Sequence, residues 1–450
     1  MFKENNLLNQ LLDRGRRIIP RSVFKLAQPI YHWSISMLGA ILYGLPSRSM
    51  KVIAVTGTKG KSTTVYMLSK VFEEQGVPVA AIGSLGYKII NKEWPNTLKM
   101  TMPGRMKLHK FMHEAKLAGA KFVILEATSE GIAQQRLAGI KIDCAVFTGL
   151  HPEHIESHGS FENYTKAKQR LFTATKNIHI INIDDKYFEK FINISSQEKI
   201  TFGMSDGDIN QKNINLNLKL AGDFNVYNAL AALSAARAYG LDVDKAKGTL
   251  QNIDRIPGRM EFINKGQSFN VVIDYAHTPE SLIQVYQTLK SQITYLRQGF
   301  DRQANHKSQT VNNPKLICVL GAAGGGRDKW KRHEFGRIAS EYCDEIILTN
   351  EDPYEENPEE ILKQIASGFP KPRSHWVGVP TESSGLQTTH YSLQTILDRK
   401  EAIKKSLADA REGDTVIITG KGSETTMAVA GGKKILWSDK STVEENLIKR

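Results

Sequence analysis

The chain alternates short apolar runs with amphipathic stretches over most of its length. In its first half, apolar runs typical of buried strands lie at residues 52–55, 122–126, 144–148 and 178–183. Apolar residues at helical spacing predict amphipathic helices at residues 107–117 and 225–239. Because strands alternate with helices, we expect a parallel sheet with helices on both of its faces.

A Pro-Gly turn at Pro257-Gly258 interrupts this pattern and predicts a hinge. The alternation then restarts, and further strands are predicted at residues 271–274, 316–320, 345–348 and 415–419. The stretch 297–314 is polar and has no periodicity, which predicts an exposed loop. A length of 450 residues suggests two or three domains, and we divide the chain into residues 1–48, 49–255 and 256–450.

Composition narrows the class of protein. A formal net charge of +13 and a pI of about 9.4 favour three kinds of partner: phosphorylated substrates, nucleic acid and anionic lipid. No RNA- or DNA-binding motif is present in the sequence, so we expect no nucleic acid partner. Cys144, Cys318 and Cys343 are widely spaced and form no CxxC pair. We therefore expect no disulfide framework or zinc site, a reducing cytosol, and three cysteines buried as small hydrophobes.

The N-terminal segment is basic and then apolar. An apolar stretch at 30–45 ends at Pro46 and follows five basic residues, Arg14, Arg16, Arg17, Arg21 and Lys25. The stretch is shorter than the roughly 20 apolar residues of a membrane span, and it lacks a convincing signal-peptide cleavage site. It is either a helix packed on the body of the protein or a peripheral membrane contact through residues 14–48. We expect a cytoplasmic protein, at the inner membrane surface in the second case.

The most informative stretch is residues 51–64, KVIAVTGTKGKSTT. A strand-like run leads into a glycine loop and then into a helical pattern, a geometry whose backbone N–H groups hold phosphates. Lys61 adds a positive charge, and the Ser62 hydroxyl can bind Mg²⁺. The predicted nucleoside triphosphate site comprises Gly57, Thr58, Lys59, Gly60, Lys61, Ser62 and Thr63. Since Val55 replaces the first glycine of the usual P-loop, a basic strand–helix turn that binds no nucleotide is the alternative.

Polar side chains follow two of the predicted strands. Glu126 ends one strand, where parallel sheets present ligands, and it suits a Mg²⁺ ligand or a water-orienting group. After the strand at 144–148, three His and two Glu fall within residues 151–158. Without an HExxH helix, Mg²⁺ or Mn²⁺ chemistry is favoured over zinc. The alternatives are a solvated strand end and a chance cluster on a surface loop.

These motifs and several others, in order along the chain, resemble those of the Mur ligase family. The similarity extends over nearly everything from Lys51 to Leu447 and is greatest to the members that add the third residue to UDP-N-acetylmuramoyl-L-alanyl-D-glutamate. The matching segments are residues 57–62, 101–103, 126–129, Arg136, Glu153-His154, Lys168, 224–228, 257–261, 274–279, 324–332 and 420–424.

The resemblance implies both fold and activity. The fold would be α/β, with a P-loop-type parallel-sheet central domain and a Rossmann-like C-terminal domain after a short helical N-terminal segment. The activity would be ATP-dependent amide-bond formation in peptidoglycan synthesis: the γ-phosphate of ATP passes to a carboxylate, and an amine attacks the resulting acyl phosphate. ATP and Mg²⁺ are the implied cofactors. A UDP-muramoyl-dipeptide-like substrate and a free amino acid are the implied partners.

The resemblance also implies roles for individual residues. A carbamylated Lys168, Glu126 and His154 would hold one Mg²⁺, and Ser62 and Glu126 the other; an ordinary surface lysine is the alternative for Lys168. The implied catalytic set is Lys61, Glu126, His154, Lys168, Asp274 and His277, the last positioning phosphate or the hinge. Further ATP contacts would come from Asn225, Asn228, Arg259 and Asp274. The implied substrate contacts are Thr101, Thr128, Ser129, Arg136, Arg327, Asp352, Tyr354, Gly420 and Glu424.

The sequence departs from the family in two places. Only 50 residues precede the first strand, where the family usually carries a UDP-binding domain, so we expect a differently held substrate. Diaminopimelate-selecting members carry Asp-Asn-Pro-Arg where this chain has Glu351-Asp352-Pro353-Tyr354, and a tyrosine cannot form a bidentate charged pair with a carboxylate.

The second departure argues against diaminopimelate and favours lysine, ornithine or another amine. Glu424 and the acidic run at 351–356 would suit a cationic side chain, unless that run is a solvated loop. Two other functions stay open: a sister ligase on a folate-like or lipid-linked carboxylate, and a non-catalytic ATP-binding protein at the membrane. The sequence leaves the oligomeric state open.

Overall fold

The computed structural model describes residues 21–97, 100–104, 106–153, 155–303, 313–370 and 391–448, with backbone only for 21–28 and 295–303. The chain forms two compact units, Met1–Asp254 and Arg255–Arg450. His154, one of the predicted metal ligands, lies outside the described residues.

The first unit is built on a nine-stranded sheet. Its strands are β1 (Lys51–Thr56), β2 (Val79–Gly83), β3 (Gly86–Ile89), β4 (Lys92–Trp94), β5 (Phe122–Glu126), β6 (Cys144–Phe147), β7 (Ile178–Asn182), β8 (Glu198–Gly203) and β9 (Ile209–Asn210). The strand order is β4-β3-β2-β5-β1-β6-β7-β8-β9, and all pairs are parallel except those of β3 with β2 and β4. Because β1 is central, its residues 52–55 are buried on both faces, which explains their unbroken apolar run.

Helices precede, connect and follow the strands of this unit. They are α1 (Arg21–Leu42), α2 (Lys61–Glu74), α3 (Lys107–Leu117), α4 (Ser129–Ala133), α5 (Ile155–His158), α6 (Phe161–Ala174), α7 (Glu189–Ile192), α8 (Gln211–Ile214), α9 (Asp223–Ala238) and α10 (Val243–Asn252), with a 3₁₀ turn at Pro46–Arg48. None of the described helices is long and apolar enough to cross a membrane.

The second unit carries a smaller sheet. Its strands are β10 (Glu261–Phe262), β11 (Asn270–Ile273), β12 (Leu316–Leu320), β13 (Glu345–Leu348), β14 (Ser392–Thr395) and β15 (Thr415–Ile418), followed by the hairpin β16 (Thr426–Val429) and β17 (Lys433–Leu436). The sheet order is β10-β11-β15-β12-β13-β14, parallel except for β10. The helices are α11 (Pro279–Gln303), α12 (Trp330–Tyr342), α13 (Pro358–Ala366), α14 (Arg399–Asp409) and α15 (Asp439–Ile448).

The predicted α/β class is confirmed, and each predicted strand is present, but the predicted loop at 297–314 is partly wrong. Helix α11 continues through Gln303, so residues 297–303 are helical, and residues 304–312 lie outside the described chain. Arg and Gln are good helix formers, and a helix that has already begun propagates through them without an apolar stripe.

The expectation of no disulfide is also wrong. Cys318 lies in β12, and Cys343 lies two residues before the start of β13, the parallel neighbour of β12. The crossover through α12 brings the two Cα atoms to 6.1 Å, and the sulfurs are bonded. A separation of 25 residues in sequence gave no sign of this contact. Cys144 is free and buried, as expected.

Candidate nucleotide and substrate site

The predicted phosphate loop connects β1 to α2 at the carboxyl edge of the first sheet. Gly60 precedes the helix with φ 79°, a left-handed conformation that favours glycine. The Lys61 ammonium donates to the carbonyls of Gly57 and Thr58 at 3.1 and 2.9 Å, so it lies over its own loop. The helix N-terminus and this ammonium give the loop the positive potential that phosphate groups require.

The loop is held by residues that directly follow β6, the strand next to β1 in the sheet. The Thr58 N–H donates to the Gly149 carbonyl at 2.8 Å, and the Thr58 hydroxyl accepts from the His151 N–H at 2.8 Å. The Thr148 hydroxyl donates to the Lys59 carbonyl at 2.6 Å. These contacts fix the loop's backbone in place, so its N–H groups are oriented before any ligand binds.

Helix α9 brings both predicted asparagines towards the loop. A Cβ added at Gly60 would lie 2.3 Å from the Asn228 Oδ1, so only glycine allows this approach. The Asn228 Oδ1 also accepts from the Thr64 hydroxyl at 3.3 Å. Asn225 is one helical turn earlier and contacts Asn228 at 3.5 Å.

Ser62 and Glu126 are connected through Ser84, a residue that the sequence reasoning missed. The Ser84 hydroxyl lies 2.6 Å from the Ser62 hydroxyl and donates to the Glu126 carboxylate at 3.1 Å. The Ser84 N–H donates to the same oxygen at 2.9 Å. Ser84 follows the carboxyl end of β2, which lies next to β5 in the sheet. Its position after a parallel strand was the feature from which it could have been recognised as a site residue.

Lys168 is buried against the phosphate loop. Its side chain lies on α6, is 1 % exposed, and donates to the Gly57 carbonyl at 2.7 Å. Its ammonium also lies 4.7 Å from the centre of the Tyr164 ring, whose hydroxyl contacts the Thr58 hydroxyl at 2.9 Å. The alternative of an ordinary surface lysine is therefore wrong.

This environment lowers the pKa of Lys168 well below its usual value. Burial is the main cause, and the nearby Lys61 charge adds to it, while Glu153 and Glu126 partly offset both. A buried amine with a lowered pKa is neutral far more often than a surface lysine, so its nitrogen can react as a nucleophile.

The predicted substrate residues of the first unit also lie together. Thr128 caps α4 by accepting from the Gly131 N–H at 3.1 Å, and its own N–H contacts the Met102 sulfur, next to Thr101. The Arg136 guanidinium donates to the Met102 carbonyl. The Ser129 hydroxyl lies 3.1 Å from the Nε2 atom of His158, which was part of the His/Glu cluster but had no assigned role.

In the second unit, Asp274 is buried directly after β11. Its carboxylate accepts from the Met260 N–H at 2.7 Å and from the Ala276 N–H at 2.6 Å. Burial raises the pKa of Asp274, and the Arg259 charge partly offsets this. Arg259 lies over the Tyr275 ring at 4.4 Å. Asp274 therefore fixes the backbone around the Pro257-Gly258 turn.

His277 bonds to the same segment. Its Nδ1 atom lies 2.7 Å from the Tyr275 carbonyl, which can only accept, so Nδ1 carries the proton in this contact.

The residues predicted to contact the amino acid lie around Lys421, which is part of the matched segment 420–424 but had no assigned role. The buried Lys421 ammonium donates to the Asp352 carboxylate at 2.9 Å and to the Glu424 carboxylate. Arg327 hydrogen-bonds to Tyr354, and burial raises the pKa of this tyrosine while Arg327 partly offsets the rise. A Cβ on Gly420 would lie 2.2 Å from a Glu351 carboxylate oxygen, so these two residues are in close contact.

The acidic run at 351–356 is only partly solvated, and several of its carboxylates have partners within the protein. Glu351 and Asp352 are buried, and Asp352 pairs with Lys421. Glu355 accepts from the Gly431 N–H at 2.8 Å, and Glu356 pairs with Arg332 at 2.9 Å. Because these carboxylates have internal partners, less negative charge is available to a cationic substrate than the sequence suggested.

Comparisons with known proteins show the family of this chain. The Mur ligase middle domain model matches residues 55–236, and the model of the Mur ligase glutamate ligase domain matches residues 258–422. A UDP-N-acetylmuramoyl-L-alanyl-D-glutamate–2,6-diaminopimelate ligase of Syntrophomonas wolfei is 33 % identical, over 90 % of this chain and 80 % of that protein. A UDP-N-acetylmuramyl-tripeptide synthetase of a Roseiflexus species is 31 % identical with the same coverage.

Solved structures point the same way. The structure of a UDP-N-acetylmuramoyl-L-alanyl-D-glutamate–2,6-diaminopimelate ligase aligns with a TM-score of 0.54 and 29 % identity, over 89 % of this chain and 78 % of that one. Escherichia coli FolC shares the fold with a TM-score of 0.60 at 18 % identity, over 86 % of this chain and 89 % of that one. This chain therefore belongs to the Mur ligase family, the ATP-dependent ligases that form peptide bonds in peptidoglycan synthesis.

Proposed function

We propose that this protein adds an amino acid to a UDP-muramoyl-dipeptide, using ATP to activate the dipeptide's carboxylate. The observation that carries the proposal is the convergence of Lys61, Ser62, Glu126 and Lys168 around one phosphate loop. The relatives support it, because their names specify ligation to UDP-N-acetylmuramoyl-L-alanyl-D-glutamate.

The reaction has two steps. A carboxylate oxygen attacks the γ-phosphorus of ATP, and the bond from that phosphorus to ADP breaks. The amine then attacks the acyl carbon, inorganic phosphate leaves with the electrons of the C–O bond, and the amine loses a proton. Both steps bring anions together, so cations and backbone N–H groups aimed at the phosphoryl oxygens lower the barrier.

In this proposal the first unit binds ATP and activates the carboxylate. Lys61 and the loop N–H groups from Gly57 to Thr63 hold the phosphates, and Asn225 and Asn228 contact the nucleotide. Thr101, Thr128, Ser129 and Arg136 hold the carboxylate substrate. In the second unit, Arg259, Asp274 and His277 contribute to ATP binding, with His277 positioning phosphate rather than acting as a base.

The oxygen atoms beside the loop fit Mg²⁺. Ser62, Ser84 and Glu126 form a connected set of hard oxygen donors, which Mg²⁺ prefers over nitrogen or sulfur. We assign Ser62, Glu126 and Lys168 to hold Mg²⁺, together with His154. When bound, Mg²⁺ neutralises phosphate charge during the transfer.

Lys168 fits this role only if its charge changes, because an ammonium would repel Mg²⁺. We propose that Lys168 is carbamylated. A neutral lysine nitrogen can attack carbon dioxide, and the lowered pKa of Lys168 keeps this nitrogen neutral. The carbamate that forms carries a negative oxygen in place of the ammonium.

We further propose that the added amino acid is lysine, ornithine or another amine rather than diaminopimelate. Tyr354 offers one hydroxyl, already bonded to Arg327, where a bidentate partner for a second carboxylate would be needed. Glu424, Asp352 and Gly420 would line the amine site. The Asp352–Lys421 pair weakens the argument for a strongly cationic side chain, so a panel of amines is the appropriate test.

The test is phosphate release by the purified full-length protein with ATP, Mg²⁺ and UDP-N-acetylmuramoyl-L-alanyl-D-glutamate. Lysine, ornithine and meso-diaminopimelate are added separately, and the product mass is measured. We expect phosphate and a mass-shifted product with lysine or ornithine. Release with diaminopimelate alone would overturn the amino-acid assignment, and no release with any amine would overturn the dipeptide substrate.

A further inference from the structure

Helix α1 packs one of its faces on the first unit. The buried Ser36 hydroxyl donates to the Arg136 carbonyl at 3.1 Å and contacts the Nε2 atom of His109 at 3.1 Å. Ala40 is fully buried, and a Cβ added at Gly139 would lie 2.5 Å from its methyl group. The helix is therefore a docked part of the first unit, as the first interpretation of this segment predicted.

The exposed side of the same helix is mostly apolar, with Ser34 lying among its larger apolar side chains. These apolar side chains are Ile30, Tyr31, Trp33, Leu38, Ile41 and Leu42, which we call the α1 apolar face. Ile30, Ile41 and Leu42 are 67 %, 63 % and 64 % exposed. A contiguous set of exposed large apolar side chains on one helix marks an interaction surface.

The charge of the N-terminal segment indicates which kind of partner this surface binds. Residues 14–48 contain five Arg and one Lys but no Asp or Glu, and the next acidic residue after Asp13 is Glu73. Helix α1 itself contains no acidic residue and begins at Arg21. A second copy of the chain would place like charges opposite each other, which disfavours self-association. An anionic surface complements this composition.

The side chains of the α1 apolar face indicate that the anionic partner is a lipid membrane. Tyr and Trp are enriched where lipid headgroups meet the apolar core, and the α1 apolar face carries one of each beside four aliphatic side chains. A basic, amphipathic helix that is not apolar all round lies in the plane of a membrane rather than across it.

We propose that helix α1 binds an anionic lipid bilayer through the α1 apolar face and lies parallel to the membrane surface. The aliphatic side chains enter the edge of the acyl region, Tyr31 and Trp33 lie at the headgroups, and the basic residues of 14–48 attract the lipid charge. The first unit is then held at the membrane by the helix face that it does not cover.

The experiment is flotation of the full-length protein with vesicles of phosphatidylcholine alone or of phosphatidylcholine mixed with phosphatidylglycerol. We expect binding to the mixed vesicles, weakening as the salt concentration rises. A Leu38→Gln/Ile41→Gln variant should bind at least about tenfold more weakly, because two exposed aliphatic side chains no longer enter the bilayer. Leu436→Gln, at a 90 % exposed leucine of β17, is the matched control and should bind like the wild type.

Three outcomes would overturn the proposal. The first is a failure of the wild type to float with the mixed vesicles, and the second is unchanged binding of the double variant. The third is binding that emerges only after residues 1–20 are deleted, since that would mean the chain's own N-terminus covers the face. Equal thermal melting of both variants and the wild type serves as the folding control, because all three substituted positions are exposed.

Discussion

Lys168 shows how burial decides the chemistry of a single residue. The sequence places it on an amphipathic helix, where a lysine normally faces solvent. The fold instead turns it towards Gly57, and the loss of solvent lowers its pKa far more than neighbouring carboxylates can restore it. Since burying a lysine costs stability, its position beside the phosphate loop is consistent with the chemical role that we propose.

We predict that Lys168→Ala lowers the turnover rate by at least about 100- to 1000-fold, because a charged group beside the transferred phosphate is lost. Added bicarbonate should not restore activity, since alanine cannot be carbamylated. The measurement is ATP- and amine-dependent phosphate release. Lys166→Ala is the matched control: Lys166 is exposed on the same helix and only 3.8 Å from Glu162, a pair of little energetic weight. Full activity of Lys168→Ala would remove this residue from the site.

Glu351 gives a pH-dependent prediction. Burial raises the pKa of Glu351 from its usual 4.5 to about 7, with Arg399 as the largest opposing influence. The folded protein therefore binds more protons than the unfolded chain between these values. The free energy of unfolding should fall as the pH rises from about 4.5 to about 7, by about 3 kcal/mol from this group.

In Glu351→Gln, this part of the pH dependence should be absent, because the side chain no longer ionises. Urea unfolding at pH 5 and pH 8 measures it, with Glu412→Gln at an exposed turn as the control. A Glu351→Gln protein whose stability falls between these pH values as much as the wild type does would contradict the assignment.

At this scale the sequence predicted the chemistry of the loop but not its partners. Lys61, Ser62 and Glu126 could be identified because each follows a recognisable strand or glycine. Ser84 could not, since a single serine carries no pattern, and Lys421 lies in the matched segment 420–424 but was given no role. They become visible only when the sheet brings β2 beside β5, and when Lys421 is buried between Asp352 and Glu424.

At the scale of elements, helix α1 has two different faces. The sequence offered packing on the protein and contact with a membrane as alternatives, yet one face of the helix packs on the protein and we propose that the exposed side binds a membrane. Periodicity could not separate them, because both faces are built from small and apolar residues. The packed face includes Ser36, Gly39 and Ala40, and the exposed face carries the larger side chains.

We predict that Ser36→Ala lowers the free energy of unfolding by about 1–3 kcal/mol, because buried carbonyls at Arg136 and Ala138 lose a donor. The matched control is Ser34→Ala on the exposed side of the same helix, which should change stability little. Urea unfolding of both variants measures the difference. Equal stability of the two would mean that Ser36 does not hold α1 in place.

The disulfide is the second prediction for an element. The Cys318–Cys343 bond closes a loop with a sequence separation of 25, which should stabilise the second unit by about 3 kcal/mol through the unfolded chain. Thiol labelling of the denatured, non-reduced protein should find one free cysteine, Cys144. Cys343→Ser should be less stable than the wild type and insensitive to reductant. Three free thiols before reduction would contradict the bond.

At the scale of the whole molecule, the sequence predicted the class of fold because the central strands of both sheets are parallel and buried. These strands are largely apolar runs, so they could be located without knowledge of their neighbours. Other strands were missed, such as β14, whose four residues are exposed. Strand order could not be read in this way: β1 lies between β5 and β6, and β15 lies between β11 and β12. The helical end of the 297–314 stretch was missed because a helix can continue without an apolar stripe.

In the reaction that we propose, ATP phosphorylates the carboxylate of the substrate before the amine attacks. The most direct measurement uses UDP-N-acetylmuramoyl-L-alanyl-D-glutamate whose reacting carboxylate carries heavy oxygen. After turnover with ATP, Mg²⁺ and lysine or ornithine, the released phosphate is analysed by mass spectrometry. We expect one heavy oxygen to be transferred to each phosphate, because the acyl C–O bond breaks when the amine attacks. Phosphate that forms along with the ligated product but carries no heavy oxygen would contradict it.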